Sequence, residues 1–237
     1  MATAGPTRGI VVRRRLRDRG AGTPILASER PARVLGIDPS PAYLAAAQQG
    51  AGDLPIQTVV GSATAIPARD DQFDRVVSAL VLNFVSQPDA ALGEMRRITR
   101  PGGLIGGYVW DYAEGMQLIR AFWDAAGALD PAAVELDEGR RFPLCRPEPL
   151  RALFDAAGLL DVQVTAIDVT TVFTDFDDLW HPFLGSQGPA PGYCAALPED
   201  RRHALRNHLH ATLPEQPDGT IRLQARAWAA RGFAAER

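Results

Sequence analysis

A chain of 237 residues is long enough for one α/β domain with additions, and a hydrophobic content of 46% supplies a sizeable core. The net charge of −3 gives no global reason to expect nucleic acid or acidic lipid as a partner. No apolar run approaches the roughly 20 residues that cross a bilayer, and two distant cysteines without metal-ligand neighbours, Cys145 and Cys194, argue against a disulfide framework and for a reduced, cytoplasmic setting.

The chain contains no lysine, and alanine is abundant. Arginine and alanine codons are rich in G and C and lysine codons are not, so the composition points to a GC-rich gene. Arginine is concentrated at the start, at Arg8, Arg13, Arg14, Arg15, Arg17 and Arg19. Residues 1–24 therefore read as a basic segment unlike the remainder, 25–237. No apolar core follows these charges, so a secretory signal is not expected.

Beyond it, Arg33–Asp38 is a short apolar run ending in an acid, the pattern of a buried parallel strand. Residues 39–49 form an alanine-rich helix with Pro41 near its start. Residues 56–61 are a second strand, 65–73 a loop, and 74–82 (DRVVSALVL) a third, strongly apolar strand. An amphipathic helix over 88–100 is stopped by Pro101-Gly102-Gly103, a sharp turn into a fourth strand at 104–111. Further on, a helix at 149–157 ends on Gly158, a strand covers 160–169, a helix 200–213, and a strand 220–229. The last helix and strand resemble the elements of an antiparallel hairpin that closes one edge of a sheet. Residues 127–146 and 171–198 are irregular, the second rich in aromatics, glycine and proline, and both suit functional covers. Alternating strands and helices give a doubly wound, mostly parallel α/β sheet.

Ligands of such sheets bind at strand C-termini. The candidate positions are Asp38 with Pro39 and Ser40 after the first of these strands, Gly61-Ser62-Ala63 after the next, and Ser78 and Leu80 toward the end of the third. A carboxylate at Asp38 is suited to accept hydrogen bonds from a ribose diol, although an acid at a strand end also serves as a helix cap. His181, Tyr112 and Asp111 are possible acceptor-side groups. His203, His208 and His210 share a helix without an i, i+4 pair, so no metal site is expected. The cysteines read as packing residues.

The series RVLGIDPSPAYLAAA, VVGSATAIPARDDQFDRVVSALVLNFV and EMRRITRPGGLIGGYVWDY resembles class I S-adenosylmethionine-dependent methyltransferases, closest in flavour to the ubiquinone/menaquinone-type small-molecule group. The likeness is close over about 25–112 and looser to 232. It implies a Rossmann-like seven-stranded sheet with a C-terminal antiparallel hairpin, S-adenosyl-L-methionine as cofactor, and SN2 methyl transfer to a small-molecule acceptor that depends largely on positioning. It also implies that Asp38 holds the ribose hydroxyls. The position of Ser62 is usually an acid that contacts the adenine amine, so serine there implies weaker adenine recognition. No catalytic residue is assigned.

The family's glycine-rich turn, D-x-G-C-G-x-G, is missing. Glycine there lets the backbone approach the cofactor, and the following helix N-terminus offers free N–H groups. This chain has VVRRRLRDRGAGTP instead. A strand over 11–16 would bury three consecutive arginines in a parallel sheet. A one-base frame change accounts for this. Codons for residues 11–22 exist that, read one base later, give WFDVGCGTGALA, the missing strand and loop. The second bases fixed by Arg15 through Ala21 are G, T, G, A, G, G and C, the first bases that GCGTGAL requires. The expectation is an out-of-frame translation up to about Thr23, with Met1 also artificial and cofactor binding impaired. The alternative is a non-catalytic methyltransferase-like binding module with a functional basic arm. A nicotinamide dehydrogenase built on Asp38 would need G-x-G-x-x-G and a Tyr/Lys or His/Asp pair, and these are absent.

Overall fold

The computed structural model describes residues 8–13, 33–52, 55–185 and 188–236. Its strands are β1 (Arg8–Arg13), β2 (Arg33–Asp38), β3 (Ile56–Val60), β4 (Phe73–Ala79), β5 (Thr99–Trp110), β6 (Leu159–Phe173) and β7 (Ile221–Ala234). Their order is β3-β2-β1-β4-β5-β7-β6. The fold is α/β, with parallel ladders joining β3, β2, β1, β4 and β5, and antiparallel bridges elsewhere, as at Met116–Ala225. The described residues divide into two compact units, one of Met1–Val109, Pro147–Thr165 and Ala229–Arg237, the other of Trp110–Arg146 and Ala166–Trp228.

In the first unit, β1 falls inside the basic segment, at Arg8–Arg13 rather than 11–16. Its β-branched Ile10-Val11-Val12 favours extended backbone. Val12 is level with Ile37 of β2 and Ser78 of β4, and Arg13 with Ala79. The arginine run therefore begins where the strand ends. The segment expected to hold the glycine turn, 14–32, lies outside the described residues.

Helix α1 (Pro41–Gln49) follows β2, with Pro41 in its first turn. Helix α2 (Pro88–Ile98) buries Ala91, Leu92, Met95 and Ile98, one stripe at helical spacing. It packs on α5 (Pro147–Ala156), which buries Leu150 and Phe154. Gly158, just beyond α5, has φ +69, the left-handed conformation of a helix end.

Two local expectations are corrected. Pro101-Gly102-Gly103 does not separate helix from strand: β5 already starts at Thr99 and carries the three residues as a bulge. The register jumps from Phe73–Thr99 to Arg75–Leu104, Gly102 has φ +66, and a Cβ on Gly103 would lie 2.8 Å from the Arg100 carbonyl. Similarly, the apolar run 74–82 does not stay extended to its end. Strand β4 stops at Ala79, and Leu80 takes φ +55 while its N–H donates to Tyr108 O at 2.8 Å. The chain then turns into a 3-10 helix, Leu82–Phe84.

In the second unit, the segments expected to be irregular are largely helical. They contain 3-10 turns at Pro131–Leu136 and His181–Leu184, α4 (Glu138–Arg141), α6 (Phe176–Trp180) and α7 (Pro189–Ala196). Helix α3 (Gln117–Leu129), which no sequence expectation covered, joins them, as does α8 (Glu199–Thr212). Phe122, Trp123, Leu179, Phe183, Leu205 and Leu209 form their shared core. The rings of Phe122 and Phe183 stack at 4.4 Å, so aromatics that a cover could have shown to a substrate are interior here. Polar ties join this core to neighbouring turns: Arg120 to Asp137, the Trp123 indole N–H to Glu138, and the Tyr193 hydroxyl to Asp130 Oδ2 at 3.3 Å.

Candidate functional site

In the first unit, the turns leaving β2, β3 and β4 enclose a cavity of about 420 Å³. Ile37 and Pro39 border it from the first turn, Gly61 through Thr64 from the second, and Val81 with Phe84, Val85 and Ser86 from the third. All three strands run in parallel, so the cavity sits at their C-terminal edge, the ligand edge of an open α/β sheet.

Each turn is built for this position. Asp38 is 3% exposed, and its Oδ1 accepts the Ser40 N–H at 2.7 Å. That bond folds the Pro39-Ser40 corner back and fixes the carboxylate at the strand end. The Gly61 N–H donates to the Asp38 carbonyl at 3.3 Å. A Cβ on Gly61 would stand 3.0 Å from Pro67 Cδ and 3.1 Å from Ile37 Cγ2, so only glycine lets the second turn close down on the first. Ser62 and Thr64 join their hydroxyls at 2.9 Å, and the Thr64 N–H donates to Ser62 Oγ at 3.2 Å. The third turn depends on the left-handed Leu80, a conformation that costs a bulky residue about 1–2 kcal/mol.

Helix α2 clamps the loop beyond Thr64. The Arg97 guanidinium bonds the carbonyls of Ile66 and Ala68 at 2.9 and 2.8 Å and the Asp70 carboxylate at 2.7 Å. Glu94 accepts from Arg97 and from the Ile66 N–H at 2.7 Å. The hydrogen bond from Arg97 holds the Glu94 carboxyl below its usual range.

Of the eight positions expected from sequence, Pro39, Gly61, Ser62 and Ala63 line the cavity. Asp38 adjoins it through Pro39 and the bond from Gly61. Ser40, Ser78 and Leu80 are not in the lining. Ser78 is 1% exposed, and its Oγ has no hydrogen-bond partner among the described residues. Leu80 acts by turning the chain, not by contact. Ile37, Thr64, Val81, Phe84, Val85 and Ser86 also line it and were not among the eight. The hydroxyl two residues past Ser62 was the available signal for Thr64, and the position of Ile37 beside Asp38 was the signal for Ile37. The other four depended on the unforeseen turn at Leu80.

In the second unit, Asp111 is 2% exposed and organises its own turn. Its Oδ1 accepts the Glu114 N–H at 3.0 Å, and a Cβ on Gly115 would come within 2.7 Å of its Oδ2. Tyr112 packs its ring 5.9 Å from that of Phe142, and His181 is exposed. Burial, with the charge of Asp111 adding to it, pushes the Cys145 thiol up to about 12, and burial also raises Cys194. Neither is an activated nucleophile. No group of three or more His, Cys, Asp or Glu residues among those described is placed to hold a metal.

Residues 19–106 match the family described as "Methyltransferase domain". This segment resembles a methyltransferase domain. The match takes in β2 through most of β5, and with them every turn of the cavity. The domain is similar to an uncharacterised protein of Mycobacterium bovis, 37% identical over 118 residues, or 46% of this chain and 42% of the relative. The chain thus spans less than half the length of that relative. A demethylmenaquinone methyltransferase of Renibacterium salmoninarum is 46% identical over 48 residues, 20% of each chain. In fold, the chain is similar to the YcgJ protein of a Bacillus species, with a TM-score of 0.57, 16% identity and coverage of 98% of this chain and 93% of the other. It is also similar to phosphoethanolamine N-methyltransferase 2 of Haemonchus contortus, bound to phosphomonomethylethanolamine and S-adenosylhomocysteine. That TM-score is again 0.57, at 16% identity over 99% of this chain and 51% of the other.

Proposed function

We propose that this chain descends from an enzyme transferring methyl groups from S-adenosyl-L-methionine to a small-molecule acceptor, and that its own cofactor binding is impaired at residues 11–22. The observation that carries the reading is the cavity at the C-terminal edge of β2, β3 and β4, with Asp38 at its margin. The residues present suit the nucleoside half of the cofactor. Asp38 would accept the ribose hydroxyls, Gly61 gives the base room, Ile37 and Val81 offer apolar contact to its faces, and Ser62 meets its edge. When bound, the cofactor supplies an electrophilic methyl group on a sulfonium, and the protein's part is to hold the acceptor in line with it.

For the amino-acid half, the sequence lacks the D-x-G-C-G-x-G pattern. Strand β1 ends at Arg13, level with Ala79, and the family's turn would have to follow immediately. In the shifted frame, GCGTG falls at 15–19, with one residue between it and that strand end. This supports the frame-change account. The finer architecture proposed with it is a single, mostly parallel seven-stranded sheet, closed by an antiparallel pairing of β6 and β7, in keeping with the strand order. The two free, buried thiols suit a reduced cytoplasmic setting. No helix among the described residues is long and apolar enough to cross a membrane.

Calorimetric titration of S-adenosylhomocysteine into two proteins tests the reading. One is the chain itself, and the other carries WFDVGCGTGALA in place of residues 11–22. Binding by the second alone is the expected result. Tight binding by both overturns the impairment and keeps the enzyme. Binding by neither favours a non-catalytic module.

A further inference from the structure

The cavity has an unusual polar chemistry, an inference that rests on the nucleoside reading above. Its described lining contains no charged side chain, and its polar side chains are the hydroxyls of Ser62, Thr64 and Ser86. A carboxylate at the position of Ser62 would be an acceptor only, matched to an exocyclic amine and opposed to a carbonyl.

The Ser62–Thr64 pair has two arrangements that differ only in proton positions. Ser62 Oγ has two lone pairs and one proton, and the Thr64 N–H occupies one lone pair. If Ser62 donates to Thr64 across their 2.9 Å contact, its second lone pair is left for a ligand and it presents an acceptor. If Thr64 donates to Ser62, both lone pairs are taken and the Ser62 proton is left, so the same atom presents a donor. Rotating two hydroxyls interconverts the states without moving a heavy atom. Ser86, the remaining hydroxyl of the lining, can likewise donate or accept.

We infer that this cavity reads the base edge through reversible hydroxyls, and that it accepts 6-oxo purine nucleosides about as well as 6-amino ones. Ser62 is the specificity-determining residue, and Thr64 positions its proton.

The test uses 5′-methylthioadenosine and 5′-methylthioinosine, which carry the nucleoside without an amino-acid end and so bypass the missing glycine turn. Each is titrated by ligand-observed NMR into the full chain and into Ser62→Asp, an exposed position where the substitution leaves the core untouched. The full chain should bind both within about threefold, and Ser62→Asp should favour the 6-amino compound by about tenfold, the value of one hydrogen bond made or opposed. A tenfold preference for the 6-amino compound in the unaltered chain overturns the inference and leaves the nucleoside site standing. An unchanged ratio in Ser62→Asp removes Ser62 from the role. Failure of the folded chain to bind either compound overturns the nucleoside reading, and the inference with it.

Discussion

The two units reach order by different means. The first is a ladder of parallel strands whose chemistry is confined to the turns at one edge, with Arg97 and Glu94 holding the loop after β3 in place. The second is a set of short helices around an aromatic core, with buried carboxylates at its polar ties. In the first, backbone pairing fixes where side chains go, so the binding groups need little help from packing. In the second, packing does the fixing, and its acidic groups serve mainly as joints.

The sharpest challenge to that contrast is Phe122→Ala. Phe122 is fully buried and stacks on Phe183. Its truncation should cost about 3–5 kcal/mol in urea unfolding, while nucleoside affinity measured on the folded fraction stays unchanged. A drop in affinity would mean that the second unit supports the cavity.

Arg97→Ala should do the reverse. Two carbonyls and two carboxylates lose their donor, a loss of about 1–3 kcal/mol for a partly exposed group. Methylthioadenosine affinity should fall by about tenfold as the loop loosens. Unaltered affinity would show that the turn holds itself.

Glu138→Gln gives the smallest effect, and a pH-dependent one. Burial raises the Glu138 carboxyl above its ordinary 4.5, against hydrogen bonds from Trp123 and from the Ala190 backbone that lower it. The folded state then holds the proton more tightly than the unfolded chain. Stability is fullest below the ordinary value and declines as pH rises through the folded one. Urea midpoints of the glutamine variant across this range should show a shallower decline. Parallel profiles would mean that Glu138 is ionised in the fold.

Sequence made the first unit legible because its signals repeat. Apolar runs end in Asp38 and Gly61, and strand ends are where ligands go, so half of the expected positions line the cavity. It failed where one backbone angle decided the path. Nothing in DRVVSALVL announces that Leu80 turns left-handed, and Val81, Phe84, Val85 and Ser86 reach the cavity because it does. Pro101-Gly102-Gly103 was read as punctuation because a bulge and a turn use the same residues. Helix α3 escaped notice for want of end signals: Met116 stands at its cap position, and Gly127 interrupts it. Its stripe of Phe122, Trp123, Ala125 and Ala126 has meaning only beside Leu179, Phe183 and Leu205, which come from distant stretches.

Cys145 and Cys194 are both buried, and both belong to the second unit. With both thiols held in their protonated form, a thiol-specific dye at neutral pH meets a slow substrate until that unit opens. The chain therefore carries two native reporters confined to one half of the molecule. The rate at which they are labelled clocks the breathing of the helical unit, with no engineered probe.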